Sequence, residues 1–229
     1  MGGPNRWRTM PWMVLMFFIL VVPLGIVSIV RVILQPLAVG SFCTPCLATA
    51  VLMLAMIPFA IDEVAMGQFL AAVRRRGDSL WTNFWRGGTL EGEGERAEAS
   101  LPAPLADAAR AGRRGVNFAP SLVAAAALGL ALMFLPPLFG VVDAAADANW
   151  LFGPLLVTFA VVAMADVARP LRLVNAPLGV LAALAPFVVG ELDAAYATTT
   201  LVLAAAAPAL SLPRAAVGER YGGWNERIA

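Results

Sequence analysis

The sequence predicts an all-α, polytopic integral membrane bundle of about six transmembrane helices, with both termini on the cytoplasmic side. Three observations carry this. Of the 229 residues, 60% are hydrophobic and 14% charged, whereas a water-soluble domain is about half apolar and about a quarter charged. Apolar runs of bilayer-crossing length, about 17–25 residues, recur six times along the chain. The arginines gather in alternate connecting segments, and acids occupy the others.

The first run is Trp12 to Leu34. The second opens near Cys43 and reaches Ile61, with an amphipathic extension to Val73. The third is Phe118 to Gly140, the fourth Trp150 to Val167, the fifth Val174 to Gly190 and the sixth Tyr196 to Leu212. The last three are short, which predicts thin or kinked packing. Prolines 23, 58, 136, 137, 154, 186 and 208 sit inside the runs. Each removes a helix donor, and packed neighbours can satisfy the freed carbonyl. Alanine-rich stretches such as Ala124 to Ala127 and Ala204 to Ala207 suit close helix approach in lipid.

Orientation follows from the arginines. Arg6 and Arg8 precede the first run. Arg74, Arg75, Arg76, Arg86, Arg96, Arg110, Arg113 and Arg114 lie between the second and third, Arg169 and Arg172 between the fourth and fifth, and Arg214, Arg220 and Arg227 after the sixth. Asp143 with Asp147, and Glu191 with Asp193, hold the opposite side. Six spans place every arginine-bearing segment on one face of a bacterial-type inner membrane. Arg31 is the exception, near the outer end of the first run. The N-terminal run is too long for a cleavable signal peptide and reads as a retained span.

Four parts follow: a two-span unit over residues 1–73, a polar cytoplasmic connector over 74–117, a four-span unit over 118–213 and a cytoplasmic tail over 214–229. Trp81, Phe84 and Trp85 lie in the connector at near-helical spacing, suited to docking on the membrane interface in the first place, or on a partner. The four-span unit reads as two tandem helical hairpins. Asn117 opens a run ending Pro136-Pro137-Leu138-Phe139-Gly140, and Asn175 opens one ending Pro186-Phe187-Val188-Val189-Gly190. This pattern resembles the SPW-repeat membrane family, with its hallmark tryptophan missing.

The net charge of +1 points to no nucleic-acid partner. The chain has no histidine and two cysteines, too few N/S ligands for a structural zinc site, so no metal is expected. Asp62, Glu63, Asp166 and Arg169 read as structural, Asp166 and Arg169 being spaced to pair on one helix face. The chemistry concentrates in Cys43-Thr44-Pro45-Cys46. Thr44 suits the cap and Pro45 the first position of a helix. Both thiols then meet the positive end of its dipole, which favours thiolate. On the oxidising side of the membrane, this placement favours a redox pair over two inert cysteines. Arg31 could lower a thiol pKa, pair with Asp143 or Glu191, or reach the outer interface.

The stretch from Val21 to Gln68 resembles the third and fourth spans of the vitamin K epoxide reductase family. Val22-Pro23-Leu24-Gly25, Ser41 to Ala50 around the C-x-x-C, and Met56-Ile57-Pro58-Phe59-Ala60-Ile61-Asp62-Glu63-Val64 carry the likeness. The resemblance implies a dithiol that passes two electrons to a quinone. Cys46 would face the quinone and Cys43 would take a mixed disulfide. The family's second cysteine pair and first two spans have no counterpart here. That gap favours an accessory or structural subunit of a larger membrane complex, descended from a truncated reductase and surrounded by other membrane subunits. The alternative is a membrane thiol–quinone oxidoreductase whose partner supplies the missing cysteines. The predicted topology has a direct test. Engineered cysteines in the 74–117 connector and the 141–148 loop should label from opposite faces of the membrane, and equal labelling from outside would overturn it.

Overall fold

The computed structural model describes residues 10–60, 70–71, 73–88, 116–189 and 193–213. Arg6, Arg8, Asp62, Glu63, the connector over 89–115, Glu191 and the tail from 214 lie outside the described residues. Apart from one isolated bridge between Val116 and Ala165, the described secondary structure is helical. Helix α1 is Pro11–Leu34, α2 Thr44–Ala60, α3 Leu80–Arg86, α4 Pro120–Phe139, α5 Ala144–Val162, α6 Asn175–Val188 and α7 Ala194–Ser211. A π-helical turn, Gln35–Val39, continues α1, and a 3-10 segment, Asp166–Val174, leads into α6.

Among the described residues, five helices are long and apolar enough to cross a membrane: α1 with its π turn, α4, α5, α6 with its 3-10 lead, and α7. The apolar α2 is shorter. Large apolar side chains cover the outer surface, among them Leu20 on α1, Leu52 on α2 and Val202 on α7. Such a surface belongs in lipid.

Helices α4 to α7 form a closed four-helix bundle: α4 packs on α5, α5 on α6, α6 on α7 and α7 back on α4. Small residues let backbones meet, because in lipid no hydrophobic effect draws helices together. A Cβ added at Gly129 would lie 2.7 Å from the Gly153 carbonyl oxygen and 2.8 Å from Val157. One added at Gly179 would lie 2.6 Å from Ala207 and 2.8 Å from the Ala204 carbonyl oxygen. The two crossings correspond at a displacement of fifty residues in Gly129 with Gly179 and Val157 with Ala207, whereas the carbonyl approached is that of Gly153 in one and Ala204 in the other. Asp143 and Asp193 keep this displacement. Each caps its helix, Asp143 accepting from the N–H groups of Ala145 and Ala146 and Asp193 from those of Ala195 and Tyr196. Asn117 and Asn175 do not keep it. Asn117 precedes α4, its N–H donating to the Met164 carbonyl at 2.8 Å, whereas Asn175 is the buried first residue of α6.

The span ends move from those read in the sequence. The fourth span starts at Ala144 rather than Trp150, because Asp143 caps the helix before the alanines. It stops at Val162, and after a short turn over 163–165 the 3-10 segment begins at Asp166. That segment keeps Asp166 and Arg169 buried and paired, on a 3-10 rather than an α-helical face. It also lengthens the fifth span to Ala168–Val188, 21 residues rather than a short run.

At the other end of the bundle, Asn149 Nδ2 donates to Tyr196 Oη at 2.8 Å and Thr200 Oγ1 at 3.2 Å. Tyr196 in turn donates to the Ala145 carbonyl at 3.1 Å. This network ties α5 to α7 across the core, and in lipid such ties contribute about 0.6–2 kcal/mol. The helix-crossing glycines give a graded prediction. Gly129→Ala must displace rigid backbone and should cost about 1–3 kcal/mol. Gly25→Ala should cost much less, since its nearest neighbour is the flexible end of Ile57 at 3.0 Å. Unfolding in micelles reads the difference, and equal losses would refute the close crossing.

Candidate functional site

The cysteine loop begins where α1 changes its winding. Over Gln35–Val39 the chain forms a π turn containing Pro36, a feature frequent at functional sites. Gly40 ends it with φ 73° and donates its N–H to the Pro36 carbonyl at 3.0 Å. Only glycine adopts that left-handed conformation freely, so the chain reverses here. Gln35 then reaches across the reversal, its Oε1 accepting the Cys43 N–H at 2.9 Å.

The Cys43 carbonyl accepts the Leu47 N–H at 2.9 Å. Cys43 is therefore the residue that caps α2, Thr44 is the first helical residue and Pro45 the second. This corrects the reading of Thr44 as cap. Pro45 is tolerated because the first N–H groups of a helix have no partner within it. Thr49 Oγ1 donates back to the Pro45 and Cys46 carbonyls at 3.1 and 2.9 Å, closing the first turn from the side.

Both cysteines are half-buried free thiols. Hydrogen bonds from the Cys46 side chain, and then from its backbone, hold the Cys43 thiol below its ordinary pKa. The nearby Arg31 charge acts in the same direction, and partial burial opposes them. Arg31 is exposed on α1 and shares with the two cysteines a cleft of about 340 Å³. Leu34, Gln35, Val39 and Phe42 line the rest of it. Ligand pockets run from about 300 Å³ upward and are mostly apolar with few polar groups, and this cleft meets both conditions. Asp143, considered as a partner for Arg31, serves as the cap of α5.

The four-helix bundle supplies the wall behind the loop. Phe42 packs on Phe134 of α4 with ring centroids 5.5 Å apart. Leu47 and Ala50 of α2 pack on a buried cluster of Val32, Met133, Ala146 and Trp150. The thiols thus lie at the end of the molecule where α4 finishes and α5 begins. Arg169, Arg172 and the buried Asn175 lie at the opposite end.

Gln35 and the Phe42–Phe134 contact were not legible as site features. The one available signal was a lone amide at the end of an apolar run, eight residues before Cys43. Compared with protein-family models, curated proteins and solved structures, the chain matches none.

The thiol geometry predicts a pH dependence. A lowered pKa means more thiolate at a given pH, so alkylation of Cys43 should reach half its maximal rate below about pH 8.5, the ordinary thiol value. Cys46→Ala removes the side-chain donor and should move that midpoint upward. Rate–pH profiles by peptide mass spectrometry test this, and coincident midpoints in the two proteins would show that Cys46 does not hold the thiolate.

Proposed function

We propose that the chain is a multi-pass membrane thiol–disulfide redox protein, in which Cys43 and Cys46 exchange electrons between a partner dithiol and a quinone. The observation that carries this reading is the built setting of the pair. Cys43 caps a helix, its backbone is held by Gln35, and the neighbouring Cys46 lowers its thiol pKa beside an apolar cleft. An inert pair needs none of this. The likeness of residues 21–68 to the vitamin K epoxide reductase family supports the same chemistry and the division of roles.

In the oxidative half, the Cys43 thiolate and Cys46 thiol form a disulfide, releasing two electrons and the remaining proton. A quinone bound in the cleft would take up both electrons, that proton and a second proton from water (the one lost when the thiolate formed), and leave as quinol. Leu34, Val39 and Phe42 would hold its ring, with Arg31 at the polar edge. In the reductive half, a partner thiolate attacks Cys43 Sγ and expels the Cys46 thiolate. The partner's second thiol then resolves the mixed disulfide, which restores both thiols and leaves the partner oxidised. The donor must come from another protein, because the sequence contains only these two cysteines.

In this reading the chain has six spans, with α2 the second, and the cysteine end faces the oxidising side of the membrane. The arginine segments of alternate loops support that sidedness. A second reading, a structural subunit of a larger membrane complex, draws on α1. Only 17% of its span is buried, against 44% and 50% for α4 and α5, so a long apolar face is open to another subunit.

The test uses reduced protein in liposomes and a short-chain benzoquinone. One quinol should form for every two thiols lost, and Cys43→Ser or Cys46→Ser should each abolish it. Thiols that react with maleimide yet never with the quinone would refute the redox reading and leave the structural one.

A further inference from the structure

A second feature lies at the end of α1 remote from the thiols. Residues 73–76 are helical and end in a Schellman turn. Gly77, at φ 80°, donates its N–H to the Arg74 carbonyl at 3.2 Å, and Asp78 donates to that of Val73 at 3.3 Å. This is the paired bonding of a glycine-terminated helix. Ser79 then caps α3, accepting the Thr82 N–H at 3.4 Å. The sharp turn folds α3 back to form a groove of about 440 Å³, lined by Leu70, Ala71, Arg74, Leu80, Trp81 and Phe84.

Two kinds of side chain surround this groove. Trp81 is 73% exposed and Trp85 49%, far more than rings of that size in a watery surface warrant. Trp85 meets Trp81 with centroids 5.7 Å apart and stacks on Trp12, the second residue of α1, at 6.1 Å. The aromatic patch therefore sits level with the start of a membrane span, the depth at which tryptophan concentrates. Arg74 lines it, Arg75, Arg76 and Arg86 are exposed on the same two helical segments, and Asp78 is the one acid among the described residues from 70 to 88.

We infer that this groove binds an anionic phospholipid, with the arginines on the headgroup phosphate and the apolar floor under the upper acyl chain. Guanidinium groups pair with phosphate in a bidentate fork. An apolar floor at interface depth suits a lipid and offers nothing to a free phosphate. The site is independent of the redox pair, which lies at the other end of α1.

The full chain in bilayers, with spin-labelled phosphatidylglycerol and phosphatidylcholine as probes, tests this. Phosphatidylglycerol should associate more strongly. R74Q/R75Q/R76Q should lower its association relative to phosphatidylcholine at least about fivefold, the effect of even one cation near an anionic surface. R74K/R75K/R76K should retain most of the preference. If the glutamine variant does not fold, 1 M salt on the unaltered protein makes the same measurement, since it shortens screening to about 3 Å. Equal association of the two lipids, or a preference indifferent to both the arginines and salt, would overturn the inference. So would competition by soluble glycerol phosphate at millimolar levels, which would mark a phosphate site and not a lipid site.

Discussion

Gly129 and Gly153 meet backbone to backbone, and the remainder of the molecule is arranged around that approach. In lipid, helices gain little from hiding apolar side chains, so the distance of closest approach decides whether they hold together. A single added methyl at Gly129 would press on the Gly153 carbonyl oxygen. The crossing recurs fifty residues on, where Gly179 meets Ala204 and Ala207. Two hairpins built on one crossing close into a bundle, and the bundle presents Phe134, Met133, Ala146 and Trp150 to the cysteine-bearing hairpin. The loop that carries the thiols is thus seated against a surface set by glycines far along the chain.

The polar groups buried in this apolar molecule lie towards its two ends. Towards one, Asn149, Tyr196 and Thr200 join α5 to α7. At the other, Asp166 and Arg169 pair within the 3-10 segment, beside Arg172 and Asn175. An unpaired charge there would carry a heavy desolvation penalty, so the pairing accompanies the burial. Leucine and alanine faces can slide past one another at little cost. Hydrogen bonds between specific side chains cannot, and they hold α5 and α7 at one relative height.

Much of this architecture was legible because lipid imposes strong constraints. Long apolar runs mark helices of membrane-crossing length, and the Cys43-Thr44-Pro45-Cys46 run marks a helix start. What was not legible depended on which of several plausible local signals prevails. Asp143 and Asp193 looked like loop acids, but a carboxylate before Ala-Ala is a strong cap, and α5 begins six residues before Trp150. The matching asparagines suggested a repeat whose true register is set by glycines and caps. Thr44 is the stronger capping residue in isolation, yet the bond between Gln35 and the Cys43 N–H fixes the turn one residue earlier. No local rule foresees a bond made by a side chain of the preceding helix.

That bond bears directly on the proposed exchange. A dithiol that cycles must move its sulfur atoms between hydrogen-bonding and bonding distance without disturbing the chain around them. Here the backbone of Cys43 is held from one side by Gln35, and its neighbour Phe42 is held from the other by Phe134. Cys46 belongs to the first turn of α2, tied back through Thr49. These contacts leave side-chain rotation at Cys43 and Cys46 as the motion the exchange would need. The Cys46 side chain, which favours the Cys43 thiolate, is also the group that the proposed exchange would make its covalent partner. In that proposal one neighbour both favours the thiolate and supplies its disulfide partner.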